Sequence, residues 1–186
     1  MMNSLKSDIN VVSKQDKFNY YGDFFLLPLI VSGDLYYIIN YCTFDVFIIL
    51  SFITGVVIYG AIIEYGFHRY IYHGKIKKIT KLHLMHHKFP QSYISSPPYV
   101  TAAILFVFHV VCIHLLGPKL GCALVGGIAF GYFWYISIHH LIHHLPYNGS
   151  KLLNYFKREH QSHHDHAKIN YCVSQPVWNI FYRWLN

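Results

Sequence analysis

Ten histidines of this chain fall into four clusters whose spacing suits metal ligation: His68 and His73; His83, His86 and His87; His139 and His143; His160, His163 and His164. On an α-helix, positions i, i+3 and i+4 share a face. The H-x-x-H-H string at 83–87 therefore presents three imidazoles together, its repeat at 160–164 does the same, and His139 and His143 form an i, i+4 pair. His68 and His73 would lie about 140° apart on a regular helix, so a helix end or a bend must separate them. Gly74 follows directly, and glycine commonly terminates helices.

Fifteen histidines beside eight aspartates and glutamates is a composition with few ordinary uses apart from metal binding. Ten ligands exceed what one ion takes, so two metal ions are expected where the two repeated elements meet. Imidazole suits zinc, iron, copper and nickel alike. A closed structural zinc site needs only four ligands, whereas a redox dimetal centre able to activate O₂ beside an apolar chain uses all ten. Iron is the metal expected in function, with zinc as what a purified protein can carry instead.

Other polar residues admit plainer readings. His109, His114 and His166 stand alone and read as satisfied core or surface residues. His140 and His144 form a second i, i+4 pair, one residue out of step with His139 and His143. One pair ligates while the other supports it or faces lipid headgroups, and His139 with His143 is the favoured choice. Glu64, at the end of an apolar run, is costly in a membrane unless paired or functional. It either orients a ligand imidazole or pairs with Arg69 or Lys75. For Tyr70, Tyr72 and the Tyr132-Phe133-Trp134-Tyr135 string, interfacial anchoring and lining of an acyl-chain channel are both open. Cys42, Cys112, Cys122 and Cys172 are too dispersed for a disulfide framework or a cysteine zinc motif and read as core packing.

The elements that must position these groups are membrane helices. The 186 residues allow one domain. Hydrophobic residues make up 54% and charged residues 12%, against about 25% charged in a soluble domain; a soluble acidic or disordered protein is excluded. The net charge of +7 is interleaved with apolar runs, which points to a membrane surface and not to nucleic acid. Val46–Ile63, Tyr99–Leu116 and Leu120–Ile138 are each long enough to span a bilayer, and Phe24–Ile39, with Pro28, Gly33 and Asp34, is a weaker fourth. Fourteen of fifteen basic residues lie in the leader, in 67–97 or after His143; of the connections 40–45 and 117–119, only the second holds a base, Lys119. Because bases collect on the cytoplasmic side, the expected architecture is an all-α integral membrane protein. It has about four transmembrane helices in two hairpins, with a cytosolic helical cap holding the histidine-rich dimetal site. Residues 1–23 read as a cytosolic leader and 24–186 as a single membrane domain, in the endoplasmic reticulum of a eukaryote or the inner membrane of a bacterium.

The string Glu64-Tyr-Gly-Phe-His68-Arg69-Tyr-Ile-Tyr-His73, then His83-Leu-Met-His86-His87-Lys-Phe-Pro90 and Pro97-Pro98, resembles the fatty acid hydroxylase/sterol desaturase superfamily. Gly131-Tyr-Phe-Trp-Tyr-Ile-Ser-Ile-His139-His-Leu-Ile-His143-His144 and His160-Gln-Ser-His163-His164 continue the match, over roughly residues 45–182. The order H-x4-H, H-x-x-H-H, H-x3-H, H-x-x-H-H looks most like the fatty acid 2-hydroxylase branch. That resemblance implies a His-ligated dimetal centre in a cytosolic cap, with the ten clustered histidines as its ligands. It also implies insertion of one oxygen atom of O₂ into a C–H bond of a lipid acyl chain, near C2 if the cap sits at the headgroups. Electrons would come from cytochrome b5 or a ferredoxin and its reductase, a separate donor because the 23-residue leader cannot be a cytochrome b5 domain. The segment between His73 and His83 looks short for this branch, which keeps a sterol-type desaturase or oxidase open. A membrane metal transporter is the rival from another class; it would need ionisable groups near the bilayer midplane, where only His109 and His114 qualify.

Overall fold

A computed structural model describes residues 17–146 and 150–184, and every element among them is helical. In chain order these are α1 (Lys17–Tyr41), α2 (Val46–Ile58), α3 (Lys77–Lys88), α4 (Pro98–His144), α5 (Lys151–Asp165) and α6 (Val177–Trp184). Past Ile58, α2 runs on through two π-helical stretches, Tyr59–Glu64 and Phe67–Tyr72. Asp45 starts α2 because its carboxylate accepts the Phe47 and Ile48 N–H groups at 3.0 and 3.3 Å, donors of the first turn that lie beyond the reach of the regular helical ladder.

Three helical stretches are long and apolar enough to cross a membrane: Lys17–Tyr41, Val46–Tyr72 and Pro98–His144. The first begins seven residues before the predicted apolar run, so Lys17–Asp23 of the expected leader is helical; residues 1–16 lie outside the described residues. The runs predicted separately at 99–116 and 120–138 belong to one 47-residue element, α4. Its backbone leaves the helical region at Gly117 (φ 78°, ψ 163°), a left-handed conformation that glycine adopts without a Cβ clash, and Pro118 follows. Beyond that break, a Cβ on Gly121 would come within 3 Å of the Cys112–Ile113 backbone. The two arms of α4 therefore fold back on each other.

Leu27 of α1, Tyr59 of the π stretch, and Leu105, Val125, Ile128 and Ala129 of α4 form the central apolar cluster. Gly55 and Gly127 let α2 and α4 touch backbone to backbone: a Cβ on Gly127 would sit 2.1 Å from the Phe52 carbonyl oxygen. Small residues at such crossings are the usual basis of helix association in lipid. Phe25, Ile39, Phe47, Phe106 and Leu115 are exposed on the outside, as a lipid-facing surface requires. At one end of the bundle, Lys119 and Asp45 (2.6 Å) join the turn after Gly117 to the start of α2. At the other end, α3, α5, the segment 166–176 and α6 gather over the termini of α2 and α4, packed by Ile138, Ile142, Phe156 and Val173 and by Tyr65, Tyr171 and Cys172.

Candidate metal centre

His68 and His73 come together through a device that the regular-helix reading does not contain. Phe67–Tyr72 is π-helical, and the His73 N–H donates to the His68 carbonyl at 3.1 Å, an i to i+5 bond. The widened turn accommodates one more residue than an α-turn, which brings position i+5 back over position i. The helix then ends at His73, so the predicted helix end is present, but the π-turn does the aligning.

One nitrogen from each of His68, His73, His83, His87 and His163 lies within 4.8 Å of all the others in this group, and the same holds for His86, His139, His143 and His160. His164 joins the second set through His160, with the two Nε2 atoms 3.0 Å apart, and its ring stacks on His87 of the first set at 4.3 Å. All ten expected residues are thus collected in two adjacent groups. The expectation that each H-x-x-H-H presents its three imidazoles as one set is corrected. His83 and His87 of α3 face one group and His86 the other, while in α5 His163 faces the first and His160 the second. The reason lies in the helical period: i and i+4 are about 40° apart, while i+3 lies about 60° from i on its other side, so a helix laid across two centres divides its triplet between them.

The nitrogen geometry fits bound cations. His83 Nε2 lies 3.1, 3.0 and 3.1 Å from the Nε2 atoms of His68, His73 and His87, and His73 Nε2 lies 3.0 Å from that of His163. In the second group the His86–His139, His143–His160 and His160–His164 Nε2 pairs are 3.1, 2.9 and 3.0 Å apart. One imidazole nitrogen cannot hydrogen-bond three neighbours at once. Two tautomers are also fixed from behind: His68 Nδ1 donates to the Tyr171 carbonyl at 2.6 Å and His163 Nδ1 to that of Ile169 at 2.7 Å, so both neutral rings turn bare Nε2 lone pairs inward. Lone pairs converging at about 3 Å match nitrogens sharing an ion at about 2 Å.

Burial is the main cause holding these imidazoles neutral, which is the ligating form. It lowers His73 to about 4 and His163 and His164 to about 3, with neighbouring imidazoles adding to the effect, and places His83, His86 and His160 well below the usual range. Metal-free protein is therefore expected to lose stability as pH falls from about 6.5 toward 3–4. In that window the unfolded chain takes up protons that the folded chain refuses, whereas above it neither form is protonated. Thermal unfolding of chelator-stripped protein at pH 7.5 and pH 5 in one detergent measures this, and an unchanged midpoint would contradict it.

The remaining residues sort by geometry. His140 Nδ1 lies 2.9 Å from the Tyr20 hydroxyl and its ring stacks on His144, which in turn stacks on Tyr93. That pair faces away from both groups, while His139 and His143 face in. His114 and His166 are exposed. His109 donates to Asp34 Oδ1 at 2.7 Å. Glu64 pairs with neither Arg69 nor Lys75 and hydrogen-bonds no histidine. It accepts hydrogen bonds from the Val173 N–H, the Ser174 hydroxyl and, at 3.0 Å, the Ser174 N–H, and so holds the segment whose Tyr171 carbonyl orients His68. Asn179 closes the same segment, bonding both the N–H and the carbonyl of Cys172 at 2.8 Å. Tyr72 stacks on His83, Tyr135 on His139 and Tyr132 on Tyr59, so these rings are internal, whereas Tyr70 and Trp134 are exposed. The carbonyls of Ile169 and Tyr171 escaped the sequence reading because backbone acceptors carry no residue signature.

Two cavities reach the histidines. One of about 590 Å³ lies beside His143 and His160, with Phe89, Pro90 and Ile142 among its walls. The other, about 780 Å³, lies beside His73 and Tyr171 and is rimmed by Arg69, Lys75 and Lys168.

The family model described as fatty acid hydroxylase matches residues 52–183, a stretch that contains all ten clustered histidines. The chain belongs to the fatty acid hydroxylase family. Within it, the chain is 30% identical over 148 residues to a fatty acid 2-hydroxylase of Macaca fascicularis, covering 72% of this chain and 39% of that one. It is 30% identical over 128 residues to the dihydroceramide fatty acyl 2-hydroxylase FAH2 of Arabidopsis thaliana, covering 63% of this chain and 53% of that one. The chain thus spans about two fifths to one half of the length of these relatives. A solved structure described as full-length scs7p, with only its hydroxylase domain visible, shares the fold: the TM-score is 0.72 at 22% identity, covering 92% of this chain and 67% of that one.

Proposed function

We propose that this member of the fatty acid hydroxylase family inserts one oxygen atom of O₂ into a C–H bond of a lipid acyl chain near C2. The supporting observation is the pair of adjacent imidazole groups with their Nε2 atoms turned inward. His68, His73, His83, His87 and His163 hold one metal ion in this reading, and His86, His139, His143, His160 and His164 hold the other. Two iron ions held there would supply the O₂ activation. The reaction balances as R–H, O₂, two electrons and two protons giving R–OH and water, so a separate one-electron carrier, cytochrome b5 or a ferredoxin with its reductase, completes it. The two arms of α4 each cross the bilayer, giving four crossings in two hairpins, with the histidine end in the cytosol and near the headgroups.

The chain's own residues orient and enclose. The Ile169 and Tyr171 carbonyls fix two ring tautomers, and Tyr72 and Tyr135 cover His83 and His139 on one face. Such shielding keeps an oxidant from water. The cavity beside His143 and His160 falls within the usual size range for ligand sites, about 300–1,000 Å³, and receives the polar end of the lipid. Holding that end near the histidines limits reach along the chain and favours carbons close to the carboxyl or amide group.

Intact-lipid mass spectrometry of cells expressing wild type or His86→Ala tests this reading. The expected result is acyl species heavier by one oxygen, present with wild type and absent with the variant. Loss of two hydrogens would instead indicate a desaturase, and a product confined to sterols would move the substrate class. Identical lipid profiles from the two strains would overturn the reading.

A further inference from the structure

At the other end of the bundle from the histidine groups, Asp34 of α1, His109 of the first arm of α4 and Cys122 of the second bring a carboxylate oxygen, an imidazole nitrogen and a sulfur within 4.8 Å of one another. We propose that this triad is a separate binding site for one divalent cation of the zinc class, which staples α1 to both arms of α4 inside the membrane. Asp34 lies 14 residues beyond Tyr20, the α1 residue that touches His140; that separation is about 21 Å along a helix. The site is therefore distinct from both histidine groups.

The donor set has the composition of a zinc site: one Asp, one His and one Cys leave a fourth position for water. A divalent ion with an aspartate, a thiolate and a neutral imidazole is electrically neutral, which suits a position that the bilayer would otherwise make costly for charge. Asp34 is 7% exposed and Cys122 6%. Asp34 Oδ1 takes the His109 N–H at 2.7 Å, while Oδ2 is enclosed and has no hydrogen-bond partner of ordinary geometry. An orphaned buried carboxylate oxygen facing a neighbouring thiol is the second indication of a missing ligand. Gly126 makes room for it, since a Cβ there would press on Oδ2 at 3.3 Å. The Asp34–His109 pair and a weak contact from the Cys122 thiol join the helices without an ion, yet they leave Oδ2 with no partner of ordinary hydrogen-bond geometry.

Cobalt(II) loading of the full chain in detergent tests the site without reference to activity. No cysteine belongs to either histidine group, so a thiolate-to-cobalt charge-transfer band in the near ultraviolet reports this triad. The expected result is a band corresponding to about one thiolate-bound cobalt per chain, lost in Cys122→Ser, weakened in His109→Gln and retained in Cys42→Ser. Zinc should displace the cobalt and abolish the band. Absence of the band from wild type, or its survival in Cys122→Ser, overturns the proposal. Cobalt bound at the cap histidines gives no such band, so failure here is distinguishable from failure of the hydroxylase reading.

Discussion

The double variant His83→Gln/His163→Gln is expected to hold about one metal ion per chain where wild type holds about two, and to form no detectable hydroxylated lipid. His83 is the hub of the first group, with its Nε2 atom within 3.1 Å of three others, and His163 is completely buried with its ring held by the Ile169 carbonyl. Removing both leaves His68, His73 and His87, three of the five proposed ligands. A single substitution would leave four imidazoles, enough to retain an ion, which is why the double change is needed. Losing even a hydrogen-bond partner behind a ligand costs about 10–100-fold in metal affinity or activity, so two lost ligands should lower product formation by more than about 100-fold. Glutamine keeps most of the buried volume and a helical preference. Elemental analysis and circular dichroism of purified protein, beside lipid analysis of the expressing cells, measure the three quantities. Two ions per chain in the double variant would disprove the assignment of the first group. His140→Gln is the control and should leave the metal content unchanged, because that ring faces Tyr20 and His144.

Which histidines come together was legible in the sequence because their spacing repeats the helical period. How they divide was not. The split of each H-x-x-H-H between two groups depends on the direction in which α3 and α5 cross the helix ends, and local spacing holds no information about crossing angles. The π-turn was equally hidden, since Glu64 to His73 carries no residue that enforces i to i+5 bonding; the spacing revealed only that a regular helix fails there. Long apolar runs located the helices long enough to cross a membrane, yet composition treated Asp34 as a flaw in the first run. Its neighbours His109 and Cys122 are 75 and 88 positions away, a distance over which periodicity says nothing. Glu64 shows the same limit. Its cost in an apolar element was readable, but its partners are two backbone N–H groups and a hydroxyl more than 100 residues away, and the local alternatives, Arg69 and Lys75, are not used.

Glu64→Leu is expected to destabilise the protein and to weaken metal binding selectively in the first group, whereas Glu64→Gln should be close to wild type in both respects. The leucine removes the acceptor for three donors, the Val173 and Ser174 N–H groups and the Ser174 hydroxyl, at a place where Val173 and Ser174 are each 2% exposed and water cannot replace it. Each buried donor left unsatisfied costs about 1–3 kcal/mol, so the loss is a large share of the stability of a typical domain. Glutamine keeps one oxygen for the two N–H groups and turns its amide toward the Ser174 hydroxyl, which can accept as readily as it donates. The selectivity follows from what the segment carries. Glu64 anchors residues 173–174, two positions from the Tyr171 carbonyl that fixes His68, while the second group draws its rings from α3, α4 and α5. Metal retained per chain after graded chelation should show one ion lost about 10–100-fold more readily in Glu64→Leu, the range for losing a ligand's hydrogen-bond support, and the other lost as in wild type. Equal weakening of both ions would mean that Glu64 acts through global stability alone, and a glutamine variant as impaired as leucine would mean that its charge, not its acceptor geometry, holds the segment.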